Sequence, residues 1–554
     1  MGKVSMHEGW IRLVKPSVNL PSLKDNTADA DRVKKGIEKV LHCQNIVFDL
    51  ELVKSMPSLF RKYEYEVSTL LFQDKGSWHL IDLYPSSEEI SLYLAAVDLG
   101  TSSIAVRFID FFTQEVVEEI SFTNPQNKIG SDVLTRIHFA SQGSGLGKLQ
   151  CTLLEKLNKE LKELAQRRSV LQHRIVGMSV AGNTTMTHLF LGLDPYWICR
   201  EPYIPAINTP EILKASELGL QICPQAPVLV LPNAGSYLGG DLVGGILASG
   251  MAKKDEISIL VDVGTNAELV VGNSEWLVAC AGAAGPALEG GVASIGMMAC
   301  PGVIDRVRVN PESGEFSIRT IENKPPVGIC GSGLIDLVAQ LFMAGMIDVR
   351  GKFVRDKCGD RLRREEGLSA LTIVYAPETG TAEDLTLNQS DIDSLLRSKA
   401  AMYTIIQTIL EMIEVPLQKI SDFYIGGTFG SYIDPRSAVT LGMIPDLPLE
   451  IYKPLGNTSL AGAEMALLSA KAREEIYNIR DRITYVELNV NQQFMNLFIS
   501  FSICQGAPYV ISAAAALRVV GCKDQPFSYR FFHQEVHQVQ SLPVLRQAGY
   551  RFGT

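Results

Sequence analysis

Two short segments of the 554-residue chain carry the same set of reactive residues. Residues 94–102 read LAAVDLGTS and residues 259–266 read ILVDVGTN, so Val-Asp-(Leu/Val)-Gly-Thr-(Ser/Asn) recurs 164 residues apart. In each, an apolar run ends in an aspartate, Asp98 or Asp262, and passes through Gly-Thr into a second apolar stretch, Ile104 to Ile109 or Ala267 to Val271. This spacing predicts strand, tight turn, strand. Glycine lets a bulky anion approach the backbone and offers an unhindered N–H, while Thr101, Ser102 and Thr265 add hydroxyl donors. These are parts for holding phosphate. Asp98 and Asp262 would repel a bare triphosphate, so they belong beside such turns only with a divalent cation between. Mg²⁺ is commonly held by one or two carboxylates together with nucleotide oxygens.

Either turn alone reads first as a hairpin with a turn-forming aspartate. The repetition, joined by a third glycine signal at Asp422 to Gly430 (DFYIGGTFG), favours a Mg-nucleotide site. Two other candidates are weaker. Gly143 to Lys148 (GSGLGK) has Gln142 and Leu149 where a P-loop needs Gly and Ser or Thr, and reads as a flexible loop. His533 and His537 have the spacing of a zinc pair, but Gln534 stands where a zinc protease needs Glu.

The elements that must position these turns follow from periodicity. Asp29 to Leu41 reads as a charged helix, with apolar segments near Ile46 to Leu52 and Val67 to Phe72; Leu83 to Glu89 (LYPSSEE) reads as a linker, and a new strand starts at Leu92. Ser390 and Asp393 suggest a helix start, followed by Leu396, Tyr403, Ile406 and Leu410 on one face. Leu334 to Phe342 form a second amphipathic helix, which Gly345 would end, and Ile483 to Leu488 suggest one more strand. Strands alternating with such helices predict α/β lobes. The duplicated turn predicts two similarly folded lobes that share a cleft.

Composition bounds the function. Hydrophobic residues make up 46% and charged residues 20%, the profile of a folded globular chain, and the length suits about three or four domains. A formal charge of -10 and the lack of a long basic run argue against nucleic acid as a partner. No apolar run reaches membrane-spanning length and the first residues lack a hydrophobic signal core, so a cytoplasmic protein is expected, with no membrane partner. The closest of the ten cysteines, Cys504 and Cys522, stand 18 residues apart, which argues against CxxC pairs, zinc ribbons and ferredoxin-type clusters.

The three signals, in this order, resemble those of the superfamily of acetate kinase, the sugar kinases, the heat-shock ATPase chaperones and actin. Within it the chain is similar to the reductive activators of corrinoid-dependent enzymes, ATPases that return an inactive Co(II) corrinoid to Co(I). The stretches that carry this likeness are NPQ at Asn124 to Gln126, GSDVLTRI at Gly130 to Ile137, AGNTTMTH at Ala181 to His188, YLGGD at Tyr237 to Asp241, AGPALEG at Ala284 to Gly290 and GICGSGLID at Gly328 to Asp336. The resemblance covers roughly residues 10 to 500 and implies a two-lobed, actin-like ATPase of duplicated ribonuclease H-like lobes, with a small N-terminal α+β module. The corresponding division is 1–92 module and linker, 93–252 lobe I, 253–458 lobe II, 459–500 a return segment to lobe I, and 501–554 a tail with no assigned role.

By that resemblance, Gly100, Thr101, Ser102, Gly264, Thr265 and Asn266 hold phosphates, while Asp98 and Asp262 orient Mg²⁺ and its waters. Gly426, Gly427, Phe429 and Gly430 line the adenosine site, with Gly331 and Ser332 in the same cofactor-binding set. Asp241 positions or deprotonates the attacking water. Glu289 assists cation or ribose binding, or alternatively sits as a carboxylate at a helix N-terminus. The implied cofactors are ATP and Mg²⁺, and the implied partner is the corrinoid protein of a methyltransferase system; a homodimer is also compatible. Co(II) reduction is uphill for ordinary donors, each ~60 mV of deficit corresponding to ~1.4 kcal/mol, so ATP hydrolysis would supply the difference. Family members carry an iron–sulfur domain, whereas this sequence begins where the segment after such a domain would begin. No cluster is therefore expected in this chain: either a separate iron–sulfur protein delivers the electrons, or the sequence is a truncated form, or the chain has lost the redox role. A small-molecule kinase of the same superfamily and a nucleotide-regulated binding module are the competing functions.

Overall fold

The computed structural model describes residues 9–263, 267–282, 293–297, 299–365, 368–427 and 433–488. These fall into two compact units, one of residues 9–282, 404–427 and 448–488, the other of residues 293–403 and 433–447.

The first unit opens with an α+β module. Strands β1 (Ile11–Val14), β2 (Ile46–Val47), β3 (Val67–Asp74) and β4 (Ser77–Pro85) form a sheet in the order β1-β3-β4-β2, with helices α1 (Asp29–Leu41) and α2 (Leu50–Lys62) packed on it. Val33, Ile37, Met56 and Phe60 from the helices meet Val67, Leu71, Trp78 and Leu80 from the strands in one apolar cluster. The opposite face, with Leu70, Phe72 and Ile81, joins the main core, and Trp10 ties the module down by donating its indole N–H to the Ala466 carbonyl at 3.0 Å. The expected linker is shorter than the sequence suggested. Leu83 to Pro85 pair with Thr69 to Val67, because a proline at the last position of a strand removes no needed ladder bond.

The main core is built on two sheets of matching topology. Strands β5 (Tyr93–Leu99), β6 (Ser103–Asp110) and β7 (Val116–Thr123) form an antiparallel meander. Helices α3 (Val133–Ala140) and α4 (Gly145–Arg167) follow, then β8 (Ile175–Gly182), α5 (Thr184–Leu191), the short β9 (Leu213–Lys214), β10 (Pro227–Val230) and α6 (Gly240–Ser249). The sheet order is β7-β6-β5-β8-β10-β9. The second copy runs through β11 (Ser258–Val263), β12 (Ala267–Gly272) and β13 (Leu277–Gly282), again an antiparallel meander. Then come β14 (Asp422–Gly426), β15 (Tyr452–Gly456), α7 (Thr458–Leu468), α8 (Ala470–Arg482) and β16 (Ile483–Tyr485), giving the order β15-β14-β11-β12-β13-β16. Setting aside the added strands β9 and β16, both sheets place their strands third-second-first-fourth-fifth, with first, fourth and fifth parallel. The α/β character and the duplication expected of the sequence are present.

Burial explains the sequence pattern. Leu94 to Val97 lie in the middle of a sheet covered on both faces and read as an unbroken apolar run rather than an alternating one. Helix α4 buries Leu149, Leu153, Leu157, Leu161 and Leu164 as one stripe at helical spacing. Its first turn is Gly145 to Lys148, which corrects the flexible-loop reading of GSGLGK. Gly145 passes so close to the Phe139 carbonyl that a Cβ there would stand 1.9 Å from its oxygen, so the glycine serves packing rather than mobility.

In the second unit, strands Val303–Val309, Phe316–Thr320 and Gly328–Ile329 form one small sheet, and Leu362–Glu365, Leu368–Val374 and Leu385–Asn388 another. The helix Gly331–Met343 buries Asp336, which accepts from the Val307 backbone at 2.8 Å, the Arg308 guanidinium at 2.8 Å and the Ser437 hydroxyl at 2.6 Å. The long helix Gln389–Met412 starts just ahead of the predicted Ser390. Asp391 reaches back to accept from the Asn388 N–H at 3.0 Å, while Asp393, expected at the helix start, instead pairs with Lys352 at 2.9 Å. Among the described residues no helix is long and apolar enough to cross a membrane.

Helices α6 and α7 cross backbone to backbone. A Cβ on Gly462 would lie 2.2 Å from the Gly244 carbonyl oxygen and 2.3 Å from its Cα, with no flexible side chain to yield. Gly462→Ala is therefore expected to lower stability by about 1–3 kcal/mol and Gly462→Val by more. Thermal unfolding measures this, and a valine variant as stable as the parent would contradict so close a crossing.

Candidate active site

The aspartates of the repeated segments stand at equivalent places in the two sheets. Asp98, near the end of β5, is the register partner of Ala181 on β8, and Asp262, near the end of β11, is that of Gly426 on β14. What joins them is the start of α7. The Asn457 side-chain amide donates to Asp98 Oδ2 at 2.7 Å and the Ser459 hydroxyl to Asp98 Oδ1 at 2.8 Å, while the Thr458 hydroxyl between them donates to Asp262 Oδ2 at 3.2 Å. Asn457 also caps the helix by accepting from the Leu460 N–H at 2.8 Å. Three successive residues at one helix N-terminus thus hold both carboxylates, where the helix dipole favours negative charge.

Asp241 completes an acidic cluster from the first turn of α6. Its carboxyl is pushed up to about 7, first by burial and then by the negative charges of Asp262 and Asp98, although the Leu242 N–H donates to it at 2.8 Å. Burial also raises the Asp98 carboxyl, and the hydrogen bonds from Asn457 and Ser459 oppose that rise. Asp241 is close enough to both of the others to feel their charge, which is the arrangement a divalent cation relieves. Among the described residues no three acidic, histidine or cysteine side chains converge as a metal cage. A hard cation here would keep water and take oxygens from a second ligand, as Mg²⁺ does when one or two carboxylates hold it.

The turn after β5 is clamped from behind. Asn124 donates to the Gly100 carbonyl at 2.9 Å, Arg136 to the Thr101 carbonyl at 2.8 Å and Asn127 to the Ser102 carbonyl at 3.0 Å. The Asn183 amide donates to the Thr101 hydroxyl at 3.0 Å, and the Asn183 carbonyl oxygen caps α5 at the Met186 N–H, 2.9 Å away. The NPQ, GSDVLTRI and AGNTTMTH stretches therefore meet at the turn formed by Gly100, Thr101 and Ser102. Gly426 lies against the other aspartate, for a Cβ there would stand 2.7 Å from Thr458 Oγ1 and 3.2 Å from Asp262 Oδ2. Gly427 follows it with φ +83°, a left-handed conformation suited to glycine.

The structure thus brings Asp98, Asp262, Asp241 and Gly426 together, with the Gly100 to Ser102 turn beginning just after Asp98. Gly331 and Ser332 open a helix of the second unit, where the Ser332 hydroxyl bonds the Cys330 thiol at 3.2 Å. Gly264, Thr265, Asn266, Glu289, Phe429 and Gly430 lie outside the described residues, as do Cys504, Cys522, His533 and His537. The sequence reading missed Asn457, Thr458 and Ser459. An Asn-Thr-Ser run between a glycine and an apolar helix is a helix-start signal, but nothing in it names the carboxylates it serves. It also missed the clamp formed by Asn124, Asn127 and Arg136.

Residues 8–89, 93–254 and 256–507 match, in that order, families described as the RACo linker region, the RACo middle region and the C-terminal domain of RACo, the ASKHA domain. The chain is 30% identical over 482 residues to the corrinoid activation enzyme RamQ of Eubacterium limosum, covering 85% of this chain and 79% of that protein. It is 23% identical over 446 residues to the Co(II) methylated amine-specific corrinoid protein reductase of Methanosarcina barkeri, covering 74% of this chain and 76% of that one. The solved structure of a reductive activator for corrinoid, iron-sulfur protein aligns at 36% identity with a TM-score of 0.84, covering 89% of this chain and 79% of that chain.

The charge crowding at Asp241 has a measurable sign. In the metal-free protein the folded carboxyl stays protonated up to about pH 7, whereas the unfolded one ionises near 3.8. Its contribution to stability is therefore fully present below pH 3.8, falls as pH rises through that window and is lost above 7. Asp241→Asn should accordingly raise stability by about 1–3 kcal/mol at pH 8 and by little at pH 4. Saturating Mg²⁺ should shrink the gain at pH 8. Thermal unfolding of both proteins across pH tests this, and a gain that does not depend on pH would refute the crowding.

Proposed function

The chain belongs to the RACo family of reductive activators of corrinoid proteins, and from that membership and its acidic site we propose that it couples Mg-ATP hydrolysis to the one-electron reduction of a corrinoid protein's cobalt from Co(II) to Co(I). The observation that carries the ATPase reading is the start of α7, where Asn457, Thr458 and Ser459 hold one carboxylate from each duplicated sheet.

In this reading Asp98 and Asp262 hold Mg²⁺ through its waters, and the ion, when bound, offsets the charge that develops on the phosphates. The clamped turn of Gly100, Thr101 and Ser102 presents backbone N–H groups and hydroxyls to the phosphate oxygens, with little reorganisation left to make. Asp241, crowded by two carboxylates, has the raised proton affinity of a group that accepts a proton from the attacking water. Gly426, whose lack of a side chain lets the strand end pack against Thr458 and Asp262, and Gly427 line the nucleoside site. The electron comes from an iron–sulfur donor outside this sequence. Hydrolysis assists the transfer if the nucleotide state changes affinity for the corrinoid partner, since a ligand shifts a conformational equilibrium only by its differential binding.

Two measurements test the proposal. The protein should hydrolyse Mg-ATP without an added metabolite, faster in the presence of a Co(II) corrinoid protein, and with a low-potential reductant it should yield the Co(I) absorption spectrum. Asp98→Asn and Asp262→Asn should each lower kcat by at least about a hundredfold while the fold is kept. Stoichiometric phosphorylation of a metabolite would point instead to a kinase, and full turnover by Asp262→Asn would remove the assigned metal role.

A further inference from the structure

We propose that Arg136 is a positioning residue that serves the nucleotide phosphates electrostatically, as a buried cation acting through the turn at Gly100 to Ser102. This rests on the reading that the phosphates occupy that turn.

Arg136 is fully buried, and its guanidinium spends all of its N–H donors on neutral acceptors. Nε donates to the Gly130 carbonyl at 2.9 Å. Nη1 donates to Gln126 Oε1 at 3.3 Å and Met186 Sδ at 3.0 Å, and Nη2 to the Thr101 carbonyl at 2.8 Å and Asn127 Oδ1 at 2.5 Å. No carboxylate among the described residues lies within ion-pair distance. The nearby Asp132 turns its oxygens to the Thr135 N–H at 2.8 Å, the Thr135 hydroxyl at 2.7 Å and, more loosely, Ser131. Burial lowers the Arg136 pKa to about 10, which still leaves it charged at neutral pH.

A buried charge with no ion-pair partner is costly, even with the Asp132 carboxylate near enough to favour it, and clamping a turn does not require one. The flanking carbonyls of Gly100 and Ser102 are held by the neutral amides of Asn124 and Asn127; the middle one alone is held by a cation. Across a trans peptide the N–H points opposite to the C=O, so the amide that Arg136 engages at Thr101 turns the Ser102 N–H the other way. Charge on the carbonyl side polarises that N–H toward an anion. The positive charge at the back of the turn is matched when phosphates arrive at the front.

Binding of Mg²⁺ complexes of ATP and ADP, of adenosine and of tripolyphosphate to the parent, Arg136→Met and Arg136→Lys, followed by calorimetry, separates charge from structure. Arg136→Met should weaken ATP and tripolyphosphate by at least about tenfold, ADP by less and adenosine not at all. Arg136→Lys, which cannot rebuild the guanidinium fork but keeps the charge, should restore the ATP to adenosine affinity ratio to within about threefold of the parent. A merely structural clamp of the turn predicts weaker ATP and tripolyphosphate binding with no rescue by lysine, and that result, or equal losses that include adenosine, overturns the inference. Should Arg136→Met not fold, the ratio in Arg136→Lys decides alone, and its loss is again fatal. A parent protein that binds neither ATP nor tripolyphosphate sinks the nucleotide reading itself, and this inference with it.

Discussion

Negative charge gathered at one helix start is the constraint around which the first unit is organised. Asp98 and Asp262 come from strands 164 residues apart and are held by consecutive side chains of α7. Asp241 approaches from α6, where burial, with the charges of Asp262 and Asp98 added, retains its proton toward neutral pH. Carboxylates brought this close repel one another, so the scaffold must be stiff enough to hold them in place. The glycine crossing of α6 and α7 supplies that stiffness. With the backbones of Gly244 and Gly462 in contact, the helix that presents Asp241 and the helix that holds the other two aspartates cannot shift independently over short distances.

What the sequence disclosed and what it withheld divide along a physical line. The strand-turn-strand segments around Asp98 and Asp262 were legible because buried strands and glycine turns have local signatures, and their repetition carried the fold class. Helix α1 was legible to the residue, since its charged and apolar positions alternate at helical spacing. The partners of the aspartates were not. Asn457, Thr458 and Ser459 gain their roles only when β5 and β11 are brought to the same helix start, a contact across more than 350 residues for Asp98. Gly145 misled for the opposite reason: a glycine required for close packing against the Phe139 carbonyl looks, in sequence, like one placed for freedom. Pro85 misled in the same way, as punctuation that in fact ends a paired strand.

Duplication gives a symmetric scaffold, but chemistry requires the halves to differ. In both sheets the first strand ends in an aspartate beside the end of the fourth, yet the fourth strands continue differently. Strand β8 runs through Gly182 into Asn183, which caps α5 and bonds the Thr101 hydroxyl, so the first half closes around its own turn. Strand β14 ends in Gly426, packed against Thr458 and Asp262 with no room for a side chain, and the chain continues through Gly427 in a left-handed conformation. At the start of α7, Asn457 and Ser459 turn to the aspartate of the first sheet and Thr458 between them to that of the second. An ancestral repeat whose copies stayed identical would grip both ends of a ligand alike. The observed asymmetry, a clamped turn with a buried cation behind it on one side and a glycine strand end packed directly against its aspartate on the other, suits a ligand whose two ends differ in chemistry.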